Sequence, residues 1–517
     1  MQAANILWAD DEIDLLKPHI LFLSEKGYHI ETATNGNDAL EIFRSKDFDL
    51  VFLDENMPGL TGLETLTSIK AINPEIPVVM ITKSEEEYLM EDAIGATIDD
   101  YLIKPVNPKQ ILLTIKKLID NKRLVSEKTS MAYQQDFRTL GMTLNDNLSY
   151  QEWIDVYKKL IFWELKLEKL EDEGMHEILT MQKGEANAQF SKFVEKNYAK
   201  WIADQDNAPV LSHQLFRKKV FPSLNENVPT FFILIDNLRY DQWKIINPII
   251  SEYFRIEEEE TYFSILPTAT QYARNAIFSG LLPLDMEKRF PTMWQNDEDE
   301  GGKNLYEENF LEDQIKRLVR KDIKFSYNKI LNQDQGKDLV ETLQNLMDND
   351  LNAIVYNFVD MLSHARTDMQ MIKELANDDA AYRSLTLSWF EHSPLLDLLK
   401  KLSQKKVKVI ITTDHGTIRV KKPSKVIGDR NTNTNLRYKQ GKNLNYNAKE
   451  VFHVKNPHDV QLPKLHVSSS FIFAKEDSYF VYQNNYNQFV NYYNDTFQHG
   501  GISMEEMIIP FVTYKNK

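Results

Sequence analysis

Residues 50–62 read LVFLDENMPGLTG: an unbroken apolar run that stops at Asp54, then a break, then the helix-periodic stretch Leu63–Ala71. A run that is apolar at every position suits a strand covered on both faces, the habit of parallel sheets. Outward from this stretch the same alternation recurs. Candidate strands are Ile6–Ala9, His29–Ala33, Val78–Thr82 and Tyr101–Ile103, and helical periodicity returns at Asn107–Asn121. Five βα units predict a doubly wound (βα)5 domain over residues 1–122.

The texture then changes. Residues 123–205 are proline-free and helical, with candidate helices Tyr150–Glu173 and Ala186–Ala203 and turn residues Asn145, Asn147 and Gly174. Trp153, Tyr157, Leu160, Trp163, Glu164 and Leu167 recur at three- and four-residue spacing, which makes one largely apolar helix face and predicts a helical-bundle connector. From 206 to 517 the α/β alternation returns, with apolar strands at Thr230–Ile235, Ala353–Val359 and Val407–Thr412. This third segment is long enough for one large α/β domain. The acidic patch Gln295–Asn304 reads as a solvated loop.

Composition narrows the chemistry. The 517 residues include no cysteine, so disulfide scaffolds, catalytic thiols and thiolate zinc fingers are excluded, and a transition metal must be held by His and carboxylate. No apolar stretch approaches the length of a membrane span and no signal sequence opens the chain, so the expectation is a cytoplasmic protein without membrane insertion. The net charge of −16 argues against general nucleic-acid coating. Residues 1–122 hold 22 acids against 11 bases, so this acidity belongs mostly to the first segment.

In that segment the ends of four strands carry polar groups: Asp10 and Asp11, Asp54, Thr82, and Lys104. Open α/β sheets place their ligand crevice there. Carboxylates gathered at one sheet edge repel unless a cation neutralises them, and hard oxygen ligands in a half-open site suit Mg2+. A carboxylate beside Mg2+ can take a phosphoryl group as an acyl phosphate, with Lys104 and the Thr82 hydroxyl holding its oxygens. The motifs ILWADDE, LDENMPGLTG, VVMIT and DDYLIKP resemble CheY-like receiver domains of response regulators. That resemblance implies Asp54 as phosphoacceptor and Asp11, Asp54 and the Asn56 carbonyl as Mg2+ ligands, assisted by Asp10. It implies Tyr101 as the aromatic that turns with phosphorylation, and a cis peptide at Lys104–Pro105. Lys83 departs from the small residue that commonly follows the threonine.

In the third segment, Thr230–Ile235 ends in Asp236, Ala353–Val359 ends in Asp360 with His364 four residues on, Val407–Thr412 leads into Asp414–His415–Gly416, and His499–Gly500–Gly501 lies near the C-terminus. Three carboxylates and three imidazoles are the composition of a paired Zn2+ or Mn2+ site. Thr270, in SILPTATQYARNAIF, falls where a helix begins, and backbone N–H groups there favour a phosphate. Thr268 competes with it as nucleophile. Arg274, one turn on, either steadies a phosphate oxygen as a substrate-binding residue or pairs with an acid.

These motifs (LID, PTAT, D-x-x-x-H, DHG and HGG) resemble the alkaline phosphatase superfamily and, within it, PglZ domains. The resemblance implies one metal on Asp236, Asp414, His415 and Thr270, a second on Asp360, His364 and His499, and Thr270 as catalytic nucleophile. The stretch Ile418–Asn443 carries Arg419, Lys421, Lys422, Lys425, Arg430, Arg437, Lys439 and Lys442 against Asp429 alone. It reads either as a solvated loop or as a contact for a substrate with more than one phosphate.

Receiver, connector and PglZ-like segment in this order resemble PorX-type response regulators. That implies a sensor histidine kinase, contacts with a sigma factor or components of type IX secretion, a homodimer on phosphorylation through the face around Tyr101, and a small oligonucleotide substrate, cyclic ones included. Two readings follow. One is a Zn2+-dependent phosphodiesterase tuned by Asp54, with one or two zinc ions. The other is a metal-stabilised module that signals by phosphorylation-dependent contacts alone.

Overall fold

The computed structural model describes residues 4–83, 98–169, 173–204, 207–225, 228–297, 299, 301–429 and 432–517. They form two compact units, Met1–Asp136 and Phe137–Lys517, and the division falls within the helix Asn121–Thr143. The three segments of the sequence thus fold as two bodies, with the connector from Phe137 onward built into the second.

In the first unit, strands β1 (Asn5–Ala9), β2 (His29–Ala33), β3 (Leu50–Asp54), β4 (Val78–Thr82) and β5 (Asp100–Ile103) form a fully parallel sheet in the order β2-β1-β3-β4-β5. Successive side chains point to opposite faces, and the core divides accordingly. Leu7, Val51, Leu53, Val78 and Met80 pack with Leu40, Phe43, Leu66 and Ile69 on one side. Ile6, Trp8, Leu50, Phe52, Val79 and Ile81 pack with Leu23, Ile111 and Ile115 on the other. Gly62 is held against the strand it follows, where a Cβ would collide with the Asp54 carbonyl.

The second unit opens on the connector. Ser149 caps the first connector helix, Tyr150–Leu167, through a reciprocal bond with Glu152. Trp153, Tyr157, Leu160, Trp163 and Leu167 are all buried. This helix ends at Leu167 rather than Glu173, and the second, Glu173–Ala203, includes Gly174 instead of turning there. A glycine in a first turn costs little because the amide donors there lack intrahelical partners in any case.

The large sheet contains β6 (Thr230–Ile235), β7 (Phe254–Phe263), β8 (Phe325–Ile330), β9 (Leu351–Tyr356), β10 (Lys408–Thr412) and, at the end, β18 (Ile508–Asn516), in the order β7-β18-β10-β6-β9-β8. Strands β10, β6, β9 and β8 are parallel, while β18 pairs antiparallel with both β10 and β7. Between β10 and β18 lie β11 (Ile418–Arg419), β12 (Lys422–Val426), β13 (Tyr438–Gly441), β14 (Val451–Val454), β15 (Ser470–Ala474), β16 (Ser478–Tyr482) and β17 (Phe497–Gln498), in three small sheets. β9 stops at Tyr356, so Asp360 lies not at a strand end but in the first turn of the helix Phe358–Asp368. The apolar pair Phe358–Val359 extended the strand pattern by eye, but it belongs to that helix. Among the described residues no helix is long and apolar enough to cross a membrane.

Candidate phosphoacceptor and metal sites

At the C-terminal edge of the receiver sheet, Asp10 and Asp54 are buried and Asp11 is exposed, and ligand atoms of the three lie within 4.8 Å of one another. Lys104 Nζ stands 3.0 Å from Asp10 Oδ2 and 2.9 Å from Asp54 Oδ1. Burial raises the Asp54 carboxyl above its ordinary value, with the charges of Asp10 and Asp11 behind it and Lys104 opposing. Burial works against the Lys104 charge, yet its bonds to Asp54 and Asp10 lift it above the usual lysine value. The second Asp54 oxygen, Oδ2, is buried with no hydrogen-bond partner, which suits a cation ligand. Thr82 ends β4, Asn56 is exposed in the turn after β3, and the Lys104–Pro105 peptide is cis. Tyr101 faces outward, 37% exposed.

The larger site gathers at the ends of β6, β9 and β10, where the chain leaves the sheet on both sides of β6. Two groups form there: Asp236, Asp414 and His415, all buried, and Asp360, His364 and His499, with ligand atoms of each trio within 4.8 Å. The six His and Asp ligands expected here divide between the two trios, and Thr270, expected as a further ligand, is a member of neither. His415 Nδ1 donates to the Gly416 carbonyl at 3.1 Å and His499 Nδ1 to the Thr268 carbonyl at 3.2 Å. With Nδ1 engaged in this way, Nε2 is the nitrogen each ring presents to a ligand, the arrangement of a metal-ligating imidazole backed by a carbonyl. The two rings stack at 4.2 Å. Burial, with the neighbouring His415, depresses His499 to about 3, so its imidazole is neutral at neutral pH. Burial pushes Asp360 upward, but the His364 hydrogen bond holds it below the usual carboxylate range. The His364 side chain is 67% exposed, so the second trio opens to solvent.

Thr270 is the first residue of the helix Thr270–Ser279, whose N-terminus has no side-chain cap. Its Oγ1 lies 3.0 Å from His415 Nε2 and 3.5 Å from Asp236 Oδ1. Thr268 does other work. It is fully buried, donates to the Gly501 carbonyl at 2.9 Å and accepts from Gly500 N–H at 3.0 Å, tying PTAT to HGG. The geometry therefore favours Thr270.

Two expectations need correction. Arg274 does not face a substrate: it is fully buried, ion-paired with Asp236, 3.0 Å from Asp414 Oδ2 and 3.5 Å from Glu307. A guanidinium among three carboxylates is neutralising charge where no water reaches. Burial pushes Asp414 upward, but Arg274 and His415 together with the Asn237 and His415 backbone N–H groups it accepts hold it below the ordinary range. Asp236, pushed by burial and by Asp414 and Asp360, lies well above it. Nor is Ile418–Asn443 one solvated loop, since β11, β12 and β13 run through it. Arg437 is buried 2.6 Å from Glu506, Arg419 pairs with Asp495, and Lys422 with Glu476 and Asp477. Lys439 is buried, and burial lowers its amine to about 7. Arg430 lies outside the described residues.

Sequence reasoning missed Asn237. It takes φ 62°, a left-handed conformation that Asn tolerates, donates its backbone N–H to Asp414 and its side-chain amide to Asp360 at 3.2 Å, and so links the two trios. An asparagine directly after a strand-ending aspartate was the available signal.

Comparison with known proteins follows the same division. Residues 6–116 match the response regulator receiver domain, 123–202 the PorX response regulator linker domain, and 215–514 the BREX system PglZ alkaline phosphatase-like domain. Among curated proteins the chain is 34% identical over 140 residues to the transcriptional regulatory protein ZraR of Klebsiella oxytoca, 27% of this chain and 32% of that protein. It is 32% identical over 115 residues to the transcriptional regulatory protein ResD of Bacillus subtilis (strain 168), 22% of this chain and 48% of that one. The chain thus spans about a third to a half of the length of these relatives. A solved receiver domain from Clostridium thermocellum is 31% identical and covers 23% of this chain and 98% of its own, with a TM-score of 0.22. The PglZ match takes in more than half of the chain, and with the receiver and linker matches before it, this chain belongs to the PglZ alkaline phosphatase-like family in the domain order of a PorX-type response regulator.

Proposed function

We propose that the PglZ domain is a Zn2+-dependent phosphodiesterase acting on small oligonucleotides, cyclic ones included, and that phosphorylation of Asp54 by a cognate histidine kinase tunes it. The observation that carries this reading is the placement of Thr270. A hydroxyl at an uncapped helix N-terminus, within reach of His415 and Asp236 and beside two His/Asp trios, is a nucleophile's position. A structural threonine needs none of these neighbours.

Asp236, Asp414, His415 and Thr270 would hold one zinc, and Asp360, His364 and His499 the other. When bound, the ions supply Lewis acidity toward phosphoryl oxygens and favour ionisation of the hydroxyl. Thr270 Oγ forms the new bond to phosphorus while the bond to the leaving alcohol breaks in line with it. With His415 Nε2 given over to the metal, Asp236 Oδ1 at 3.5 Å is the side-chain acceptor within reach of the Thr270 proton. Water then cleaves the phosphothreonine and restores the hydroxyl. The backbone N–H groups of the Thr270–Ser279 helix face the transferred phosphoryl group.

In the receiver, Asp54 takes the phosphoryl group, Asp10, Asp11, Asp54 and Asn56 hold Mg2+, and Lys104 and Thr82 bind the new oxygens. The domain order supports a role in type IX secretion, through a sigma factor or secretion components, and a homodimer on phosphorylation. The test is hydrolysis of bis-p-nitrophenyl phosphate by zinc-loaded protein. Thr270→Ala is expected to lower kcat at least about a hundredfold. Equal rates for the two proteins would sink the catalytic reading.

A further inference from the structure

A cavity of about 520 Å³ lies between the two connector helices and the PglZ fold. Its walls bring Lys183, Arg239 and Arg383 against Glu164, Asp379 and Glu505. Each of these cations already has a carboxylate partner, so together they form a network rather than a pocket for an anion.

One arm of the network starts at the first connector helix. Glu164 Oε1 accepts from Arg383 Nη1 at 2.9 Å, and the same nitrogen donates to Asp241 Oδ2 at 2.8 Å. Asp241 in turn accepts from Arg239 Nε at 2.9 Å and Nη2 at 2.7 Å, and Asp379 accepts from Arg239 Nη1 at 2.6 Å. Arg239 is three residues beyond Asp236. Its guanidinium lies 5.3 Å from the ring centre of Phe497, two residues before His499, and a Cβ on Gly416 would sit 3.4 Å from its side chain. One buried arginine therefore adjoins the turns that carry Asp236, Asp414–His415 and His499. The second arm starts at the other connector helix. Lys183 Nζ is 2.7 Å from Glu164 Oε2 and 3.7 Å from Glu505 Oε1. Asn187 donates to Glu505 Oε2 at 2.9 Å and accepts from Met504 N–H at 2.8 Å. The Glu505 carbonyl backs Gly416 so closely that a Cβ there would collide with it.

We infer that Glu164 and Arg239 are positioning residues, through which the connector helices set the geometry of the ligand-bearing turns. The inference rests on the two-metal reading. A displacement of either connector helix then acts on the metal site without touching a ligand, because the buried pairs pass the shift on through fixed hydrogen bonds.

The experiment titrates the full-length metal-free protein with Co2+ alone and follows its d–d absorption. Glu164→Ala is expected to weaken Co2+ binding about tenfold, the lower end of what loss of an outer partner costs, and to shift the band. Glu164→Gln, which keeps an acceptor for Arg383, should recover most of the affinity; Arg239→Lys, which loses the paired bonds to Asp241, should weaken Co2+ binding as Glu164→Ala does and carries the comparison if Glu164→Ala does not fold. Leu160→Ala, buried one turn earlier on the same helix but outside the network, should lower Tm and leave the Co2+ titration alone. Superimposable titrations for wild type and both Glu164 variants, or an equal loss in Leu160→Ala, would overturn the inference. Wild-type protein that takes up no Co2+ would overturn the two-metal reading and this inference with it.

Discussion

Arg274→Met tests how the metal-free site is held together. The guanidinium is fully buried and faces Asp236, Asp414 and Glu307, with Asp414 at 3.0 Å and Glu307 at 3.5 Å. Methionine keeps much of the volume and removes the charge. Removing one partner of a buried ion pair costs about 3–5 kcal/mol, because the remaining charges are left uncompensated. At about 2 °C per kcal/mol for a large unit, a 4 kcal/mol loss is a fall of about 8 °C in Tm without metal. Zinc restores positive charge to the same carboxylates, and an ion at a hundredfold excess over its Kd adds about 2.7 kcal/mol per site. Calorimetry with and without zinc should therefore show a larger metal-induced rise in the variant than in wild type, together with tighter zinc binding. Metal-free Arg274→Met melting with wild type, or the same deficit with and without zinc, would refute the argument that Arg274 stands where metal charge is needed.

Two further expectations are independent of that site. Asp54→Asn should abolish acetyl-phosphate labelling of the receiver, read on a phosphate-affinity gel, whereas Asp11→Asn should keep Asp54 available but slow labelling by weakening Mg2+; full labelling of Asp54→Asn would place the phosphoacceptor elsewhere. His213 is buried with neither ring nitrogen hydrogen-bonded, and burial together with Arg217 and Lys218 lowers it to about 3. Its folded pKa lies below the unfolded one, so the unfolded chain binds the extra proton between about pH 6.5 and 3, and stability falls as pH falls through that window at up to about 1.4 kcal/mol per unit. From pH 6.5 to 5 that is about 1.6 kcal/mol by denaturant titration, and His213→Leu should lose this part of the slope; an unchanged slope would mean that His213 is protonated in the fold.

Strand ends were the legible part of this sequence, and the reason is local. A buried parallel strand reads as an uninterrupted apolar run, so the carboxylate that ends it stands out: Asp54 at the end of β3, Asp236 after β6, Asp414 two residues beyond β10. Motif and geometry then meet without any knowledge of the tertiary fold. Charge pairing was illegible for the opposite reason. Spacing puts Arg274 one turn past Thr270 but is silent on what it faces, since Asp414 lies 140 residues away. The basic stretch looked unpaired because its partners, Glu506, Asp495 and Asp477, come from distant elements. Asp360 was placed on the right motif but in the wrong element, because two apolar residues at a helix start are indistinguishable from two more strand positions.

The two candidate sites share a construction and differ in one property that bears on what each can do. In both, carboxylates converge at the ends of parallel strands and a single basic side chain neutralises them: Lys104 for Asp10 and Asp54, Arg274 for Asp236 and Asp414. Lys104 retains 14% exposure on a flexible stem and touches one oxygen of each partner, so under the proposed phosphorylation of Asp54 it is free to follow the new phosphoryl group. Arg274 has no exposure, and its planar fork is committed to three acids at once. Moving it would strand charges in the interior at several kcal/mol. The receiver is thus built to change state, and the larger site is built to keep one geometry. On the proposed reading, control of that larger site acts through its surroundings, and Glu164 and Lys183 of the connector helices are among the charged groups that reach behind its turns.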